Sequence, residues 1–467
     1  MNIAKTSLLT HQTAIDLTGA NVANVNTTGY TQQRAMLSSL ASTGIGVTQT
    51  QTGVQIDAIE RVYDRFLESQ ITGATSDLGY SETLWGELEK VEMIFNESLD
   101  GGIADMLNRF WGGWEDLSTN PSGQAERVAL VSISESLASI LRSSGQELVD
   151  LQGDINLQLS DMVIQVNSAI NAVADLNMKI MEGMSQQGNV NDLLDKRTDA
   201  LNRLADFINF NALEDSSGAV NISLANGTPL VTEGMVWHLE MRTDEEDSFL
   251  LNIAVEGTGT DNSGTGTITG GKIAALLDMR DEIIGGDEGY LSRLDAFVAA
   301  FVEGVNDIHR SGYDIYKNGG GDFFSCEAQS PGQSAPSLLN IRLSDTIASD
   351  MMRIAASETV NGDGANALAM GALKDVVAAI GEENGTINDH YAAFVSRLGQ
   401  DVADSERTYS HQESLMNQMK NKQQEMSGVS IDEEMMNLIK FQMGYQSAAR
   451  LCTVAEEMLD ILMGLAR

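Results

Sequence analysis

Both ends of the chain carry the same rhythm. Near the start, Leu8, His11, Ile15, Thr18, Val22 and Val25 alternate three and four apart; at the finish, Leu438, Phe441, Tyr445, Ala448, Cys452, Ala455, Leu459 and Leu462 do the same. That alternation holds one stripe of a helix towards one partner helix, the pattern of a coiled coil. His11 and Thr18 place polar groups on the first stripe, and a single amphipathic helix of this length is marginal alone in water. The two terminal helices are therefore expected to pack on each other and against neighbouring copies of the chain.

The rest of the composition narrows the choice of partners. Lys and Arg number 28 against 67 Asp and Glu, a formal charge of -39. Such a surface repels nucleic acid and anionic lipid, so neither is an expected partner. No run of the sequence is apolar enough to span a bilayer, which argues against membrane insertion. The N-terminus has Lys5 but neither an apolar run nor a small-residue cleavage site, so no cleaved secretory signal is read there. Cys326 and Cys452 stand far apart and form no disulfide framework; Cys452 lies on the C-terminal stripe, where a small buried residue is expected. Four prolines in 467 residues leave long uninterrupted stretches for helix.

Along the chain the period changes twice. Residues 1–59 read as a terminal helix followed by an extended, hairpin-like connection, with Asn21, Asn24 and Asn26 leading to a turn at Gly29-Tyr30. Residues 60–209 read as a long-helix body. Its main stripe runs through Leu137, Leu141, Leu148, Leu151, Ile155, Leu159, Met162, Val166, Ala169 and Val173. Residues 210–270 alternate as short strands, with Asn226-Gly227 a strong hairpin turn, and form a β-rich region. Residues 271–345 return to helix and then an irregular stretch, and 346–467 are helices that come back onto the N-terminal body. The fold class is mainly α with a β-rich insertion, an elongated helical body built from both termini.

Nothing in this pattern converges on catalysis. The histidines at 11, 238, 309, 390 and 411 have no metal-ligand spacing to one another or to cysteine. His309 ends an amphipathic helix, where a capping or satisfied surface role is the expectation. Asp322 and Asp363 lie in Gly-rich turns that lack the alternating oxygen ligands of a calcium loop. The Gly-rich run at 257–271 has neither the Lys of a phosphate loop nor a strand-to-helix context. No enzyme, cofactor or metal is expected. Met435, Met436, Met443, Met458 and Met463 serve either as core filling or as an interface able to repack.

Two terminal segments carry a resemblance. Ala20-Asn21-Val22-Ala23-Asn24-Val25-Asn26-Thr27-Thr28-Gly29-Tyr30 resembles the N-terminal signature of the flagellar rod, hook and hook-associated axial proteins. Ser427-Gly428-Val429-Ser430-Ile431-Asp432-Glu433-Glu434, with Asn437-Leu438 and Phe441-Gln442, resembles their C-terminal one. Internal segments narrow the resemblance to the FlgK-type branch. These are Arg61 to Leu67, Asn191 to Arg197, and Asn306 to Asp314 leading to Gly321-Asp322-Phe323-Phe324. Many relatives carry a further β-rich insertion after that last segment, but here helical sequence returns by about residue 345, so an outer domain is expected to be missing.

The resemblance implies a structural junction protein that polymerises between hook and filament. It would lie outside the cell, exported without a cleaved signal. The implied partners are other copies of itself, the hook protein, a second junction protein, an export chaperone and the flagellar type III export apparatus. Assembly would rest on Leu8, Ile15, Val22, Leu438, Phe441, Tyr445, Cys452, Leu459 and Leu462, with Asn21, Asn24, Gly29 and Tyr30 shaping the N-terminal turn. The alternatives left open are another axial protein of the same apparatus, or a secreted helical scaffold or enzyme.

Overall fold

The computed structural model describes residues 2–27, 29–39, 53–95, 101–243, 250–257, 267–326, 337–360, 362–380 and 383–465. Ile45 and Val47 of the N-terminal connection, Phe249, most of the Gly/Thr-rich run from Thr258, and Pro331 and Pro336 lie outside the described residues.

Helix α1 (Asn2–Ala23) leads into an antiparallel pair, β1 (Gln33–Ser39) and β2 (Val54–Arg61). Three helices of the body follow: α2 (Arg65–Ile94), α3 (Ile103–Thr119) and α4 (Gln124–Ser185). Asp64 caps α2, its carboxylate accepting the backbone N–H groups of Phe66 and Leu67 that no helical carbonyl can reach. After α5 (Asn191–Phe207) come four short strands, β3 (Asn211–Glu214), β4 (Val220–Ser223), β5 (Pro229–Thr232) and β6 (Met235–Val236), and then a separate pair, β7 (Leu239–Thr243) and β8 (Leu251–Val255). Helix returns as α6 (Gly271–Leu277), widens into one π-helical stretch over Asp278–Ile284, and resumes as α7 (Tyr290–Ser311). The stretch read as irregular contains β9 (Phe324–Ser325) paired with β10 (Arg342–Leu343). Short helices α8 (Asp345–Ser349) and α9 (Ala365–Ala372) precede a small hairpin, β11 (Ala378–Ile380) with β12 (Glu383–Gly385), inside the stretch read as helices. Two long helices, α10 (Ile387–Ser427) and α11 (Ile431–Leu465), complete the described chain. The protein is mainly helical, with a few small sheets between its helices.

The spine is α4, 62 residues and so about 90 Å long. Its buried line follows the expected stripe, including Val166 and Val173, except that Val163 and Ile170 are buried in place of Met162 and Ala169, which are half-buried. A straight helix drifts by about 20° per heptad against a strict 3.5 repeat. Successive steps of four, from Leu151 through Ile155 and Leu159 to Val163, take up that drift. Helices α3 and α5 pack on α4, while α2 packs on α10, α5 and α6. An aromatic cluster ties α3 to α7: Phe110 lies 5.4 Å edge-on from Phe301, and Trp114 lies 5.1 Å from Phe323.

The short strands are laid on the far half of α4 and share its core through Val220, Ile222, Val231, Ile253 and Val255. Two asparagines on the helix act as spare strand partners. Asn177 accepts from Val220 N–H and donates to the Val220 and Glu233 carbonyls; Asn167 accepts from Leu239 N–H and donates to the Leu239 carbonyl. Sheets this small expose unpaired backbone, and these amides satisfy part of it.

His309 is no surface cap. It is wholly buried at the end of α7, where Nδ1–H donates to the Gly321 carbonyl at 2.6 Å and Nε2 accepts from Ala355 N–H at 2.9 Å. Both ring nitrogens are used, which fixes the neutral tautomer with the proton on Nδ1. Asn306, one turn earlier, accepts from the N–H groups of Phe323 and Phe324 and donates to the Phe324 carbonyl. The Asn-x-x-His pattern is thus a clamp holding the Gly-Asp-Phe-Phe segment against α7. Burial holds the His309 pKa down at about 4. The unfolded chain takes up this proton below its ordinary value of 6.5 and the folded chain does not, so stability contributed by this site is lost as pH falls from about 6.5 towards 4. Between pH 7 and pH 4, the parent should lose on the order of 2–3 kcal/mol more in urea denaturation than His309→Gln. Parallel pH profiles would contradict the clamp.

Candidate assembly interface

The two ends of the chain lie side by side. Helices α1 and α11 pack antiparallel: Asn21 near the end of α1 bonds Glu434 near the start of α11, and His11 lies against Phe441, ring centroids 6.3 Å apart. The approach is closest at Gly444, where even a Cβ would come 2.7 Å from the His11 ring. The other flank of α1 rests on the β1–β2 pair, where the Thr10 hydroxyl donates to the Val54 carbonyl.

This double contact moves the buried line of α1. Ala4, Thr10, Ala14, Thr18 and Asn21 are buried, whereas Leu8, Ile15 and Val22 are half-buried. A three-four stripe assumes one partner; α1 has two, and its most enclosed residues lie between them. On α11, Ala448 is buried, Leu438, Phe441 and Cys452 are half-buried, and Tyr445 is just exposed. Leu459 and Leu462 are open, at 45% and 62% exposure. Helix length explains the difference. α1 has 22 residues and α11 has 35. At about 1.5 Å per residue, the start of α1 is reached near Thr453. Beyond it Leu459, Ile461, Leu462, Met463 and Leu465 are exposed, with no helix opposite them among the described residues. Cys452, expected to be buried, sits where the pairing runs out.

At the other end of the pair lies a buried polar cluster. Glu434, 2% exposed, accepts from Gln32 Nε2 at 2.6 Å and from Asn21 Nδ2 at 3.0 Å. Asn21 Oδ1 accepts from the Tyr30 hydroxyl at 2.8 Å and from Gln33 N–H at 3.1 Å. Thr31 donates its hydroxyl and backbone N–H to Asp195 on α5, which also pairs with Arg61 at 3.1 Å. Gln32 N–H donates to the Ser427 carbonyl at the end of α10. The cluster therefore joins α1, the turn after it, α5 and the α10–α11 connection. Burial, then the charges of Asp192, Asp195 and Glu434, push the Tyr30 pKa up to about 12, so it remains a hydroxyl donor. Gly29 has φ +80°, a left-handed conformation costly for other residues. Asn24 bonds within its own turn, to the Ala20 carbonyl and the Thr27 hydroxyl. Beside the cluster, a cleft of about 890 Å³ is lined by Arg61, Glu68, Arg197 and Glu214, among others. Arg197 pairs with Glu214 at 2.8 Å, and Arg61 with Asp195, so these guanidinium groups are held by carboxylates of the same chain.

The model of the flagellar hook-associated protein FlgK helical domain matches residues 88–324, just over half of the chain. The chain belongs to the FlgK family. Its termini match two further models, the flagella basal body rod protein over residues 1–31 and the flagellar basal body rod FlgEFG protein C-terminal over 421–465. Flagellar hook-associated protein 1 of Bacillus subtilis is 28% identical, with 98% of this chain and 96% of the relative covered. The protein of the same name from Escherichia coli is 24% identical, covering 100% and 99%. That alignment runs over 546 residues against 467 in this chain, so the enteric relative carries sequence with no counterpart here. The FlgK structure from Burkholderia pseudomallei shares the fold, with a TM-score of 0.66 at 17% identity over 77% of this chain and all of that one. As a FlgK-family member the chain is a structural, hook-associated protein of the bacterial flagellum.

Gly444→Val should force the FlgK-family helix pair apart at His11, weakening α1 pairing by about 1–3 kcal/mol. Hydrogen exchange of the α1 amides would read this, and adding His11→Ala should restore most of the loss. Unchanged protection in Gly444→Val would contradict the close approach.

Proposed function

We propose that this chain polymerises as the junction between hook and filament and so allows the filament to be assembled. The observation that carries the reading is the unmatched length of α11, which leaves Leu459, Leu462 and their neighbours exposed in a family member with paired termini. Exposed apolar surface of this extent on one helix marks a contact site. Neighbouring copies cover it in the polymer. The hook protein lies on one side of the junction and a second junction protein on the other.

The chain acts outside the cell and carries no catalytic role. It leaves through the flagellar type III export apparatus without a cleaved signal, and a chaperone covers the α11 stripe beforehand. Ordering the terminal helices costs conformational entropy that the intersubunit contact offsets, which delays polymerisation until subunits reach their site. The termini with the body helices of 60–209 form the inner tube, and the β-rich part of 210–270 faces outward. The family's additional outer domain is missing here, consistent with the longer enteric relative.

Deleting the gene should leave hooks without filaments in electron micrographs and flagellin in the medium. Complementation by a chain lacking 438–467 should fail, while the full chain restores filaments. Normal filaments in the deletion strain would sink the junction reading.

A further inference from the structure

We infer that Glu434, with Gln32 and Asn21, fixes the register in which the two terminal helices pair. Elsewhere on the seam the one steric constraint on alignment is the His11 ring over Gly444, which the His11→Cys background of the test below removes. The seam's most enclosed residues are small, Ala14 and Ala448, with Gly444 opposite His11, and the flanking Met435, Met436 and Met443 are soft and exposed. Soft, small side chains tolerate sliding. A buried polar contact does not, because it must find its partner or remain desolvated without one.

The geometry permits one solution. Gln32 is anchored independently of α11's register, since its N–H donates to the Ser427 carbonyl and its own carbonyl accepts from Val62 N–H. Asn21 is anchored by Tyr30 and Gln33. Both side-chain amides therefore point at a fixed place, and Glu434 Oε1 occupies it. Sliding α11 by one turn, about 5.4 Å, takes the carboxylate out of reach, so Gln32 Nε2 loses its acceptor and Asn21 Nδ2 keeps only the Gln33 carbonyl. A buried polar residue setting helix register at some cost in stability is a known use of such groups. Here it operates within one chain, and it also ties the terminal pair to α5 through Thr31 and Asp195. The inference concerns pairing within the purified chain and does not depend on the junction reading.

Disulfide trapping in the full-length chain tests it, in a Cys326→Ala and Cys452→Ala background. His11→Cys is combined in turn with Gly444→Cys for the observed register, and with Lys440→Cys or Ala448→Cys for slips of one turn. With the cluster intact, the 11–444 disulfide should exceed either slipped pair by at least roughly tenfold, the factor for one buried hydrogen bond left unmade. Gln32→Leu with Glu434→Leu replaces the polar contact by an apolar one and leaves Asn21 bonded to Tyr30 and Gln33. In that variant the three yields should come within about threefold of one another. Glu434→Gln, which keeps an acceptor oxygen, should retain the 11–444 preference. Cross-linking confined to 11–444 in the double leucine variant would overturn the inference. Loss of all three disulfides would also overturn it, because the cluster would then supply the pairing energy itself.

Discussion

The antiparallel contact between α1 and α11 is the constraint on which the rest of the molecule depends. It requires the first and last helices of a long chain to meet, so everything between them must form a closed excursion. The excursion goes out along α2, comes back along α4, whose end at Met184 lines the same cleft as Arg61 and Glu68, and makes its last return along α10. The body has its own large core, whose buried residues run from Leu88 to Val402 and include none of α1 or α11. The pair makes few fully buried contacts, with only Glu434 and Ala448 buried on α11. Its closest approach is at Gly444, and its base carries the polar cluster. On the proposed junction reading, such a pair exchanges part of its contact for contact with a neighbour.

Long helices were legible because burial recurs with the helical period, and the α4 stripe was displaced by one residue only at Val163 and Ile170. The strands of the middle region were legible from the alternation at Val220, Ile222 and Leu224 and from the Asn226-Gly227 turn. The β11–β12 hairpin was not, since Ala378-Ala379-Ile380 has no alternation to distinguish it from helix. His309 was misplaced to the surface because a histidine near a helix end satisfies the expectation for a cap. Its real partners, Gly321 and Ala355, lie in later segments that sequence spacing does not connect to it.

The interface shows the same division. Periodicity found both terminal helices, but it could not see that α1 serves two partners or that α11 outruns it. The polar cluster was the larger omission. Asn21 and Tyr30 were noted as turn residues and Glu434 as the end of a motif, yet Gln32, Asp195 and Glu434 read individually as surface groups. One signal was available: Asn191, Asp195 and Arg197 interrupt the apolar face of α5, and all three are buried. A helix that places three polar groups inward must have polar groups to receive them.

The far end of α11 is uncovered in the single chain, and the proposed junction role requires that it be covered in the polymer. Hydrogen exchange of residues 456–465, compared between purified chain and isolated hook structures bearing the assembled protein, tests this directly. Strong protection appearing only in the assembled form is the predicted result. Equal exchange in both would contradict the claim and leave the exposed leucines without a role in assembly.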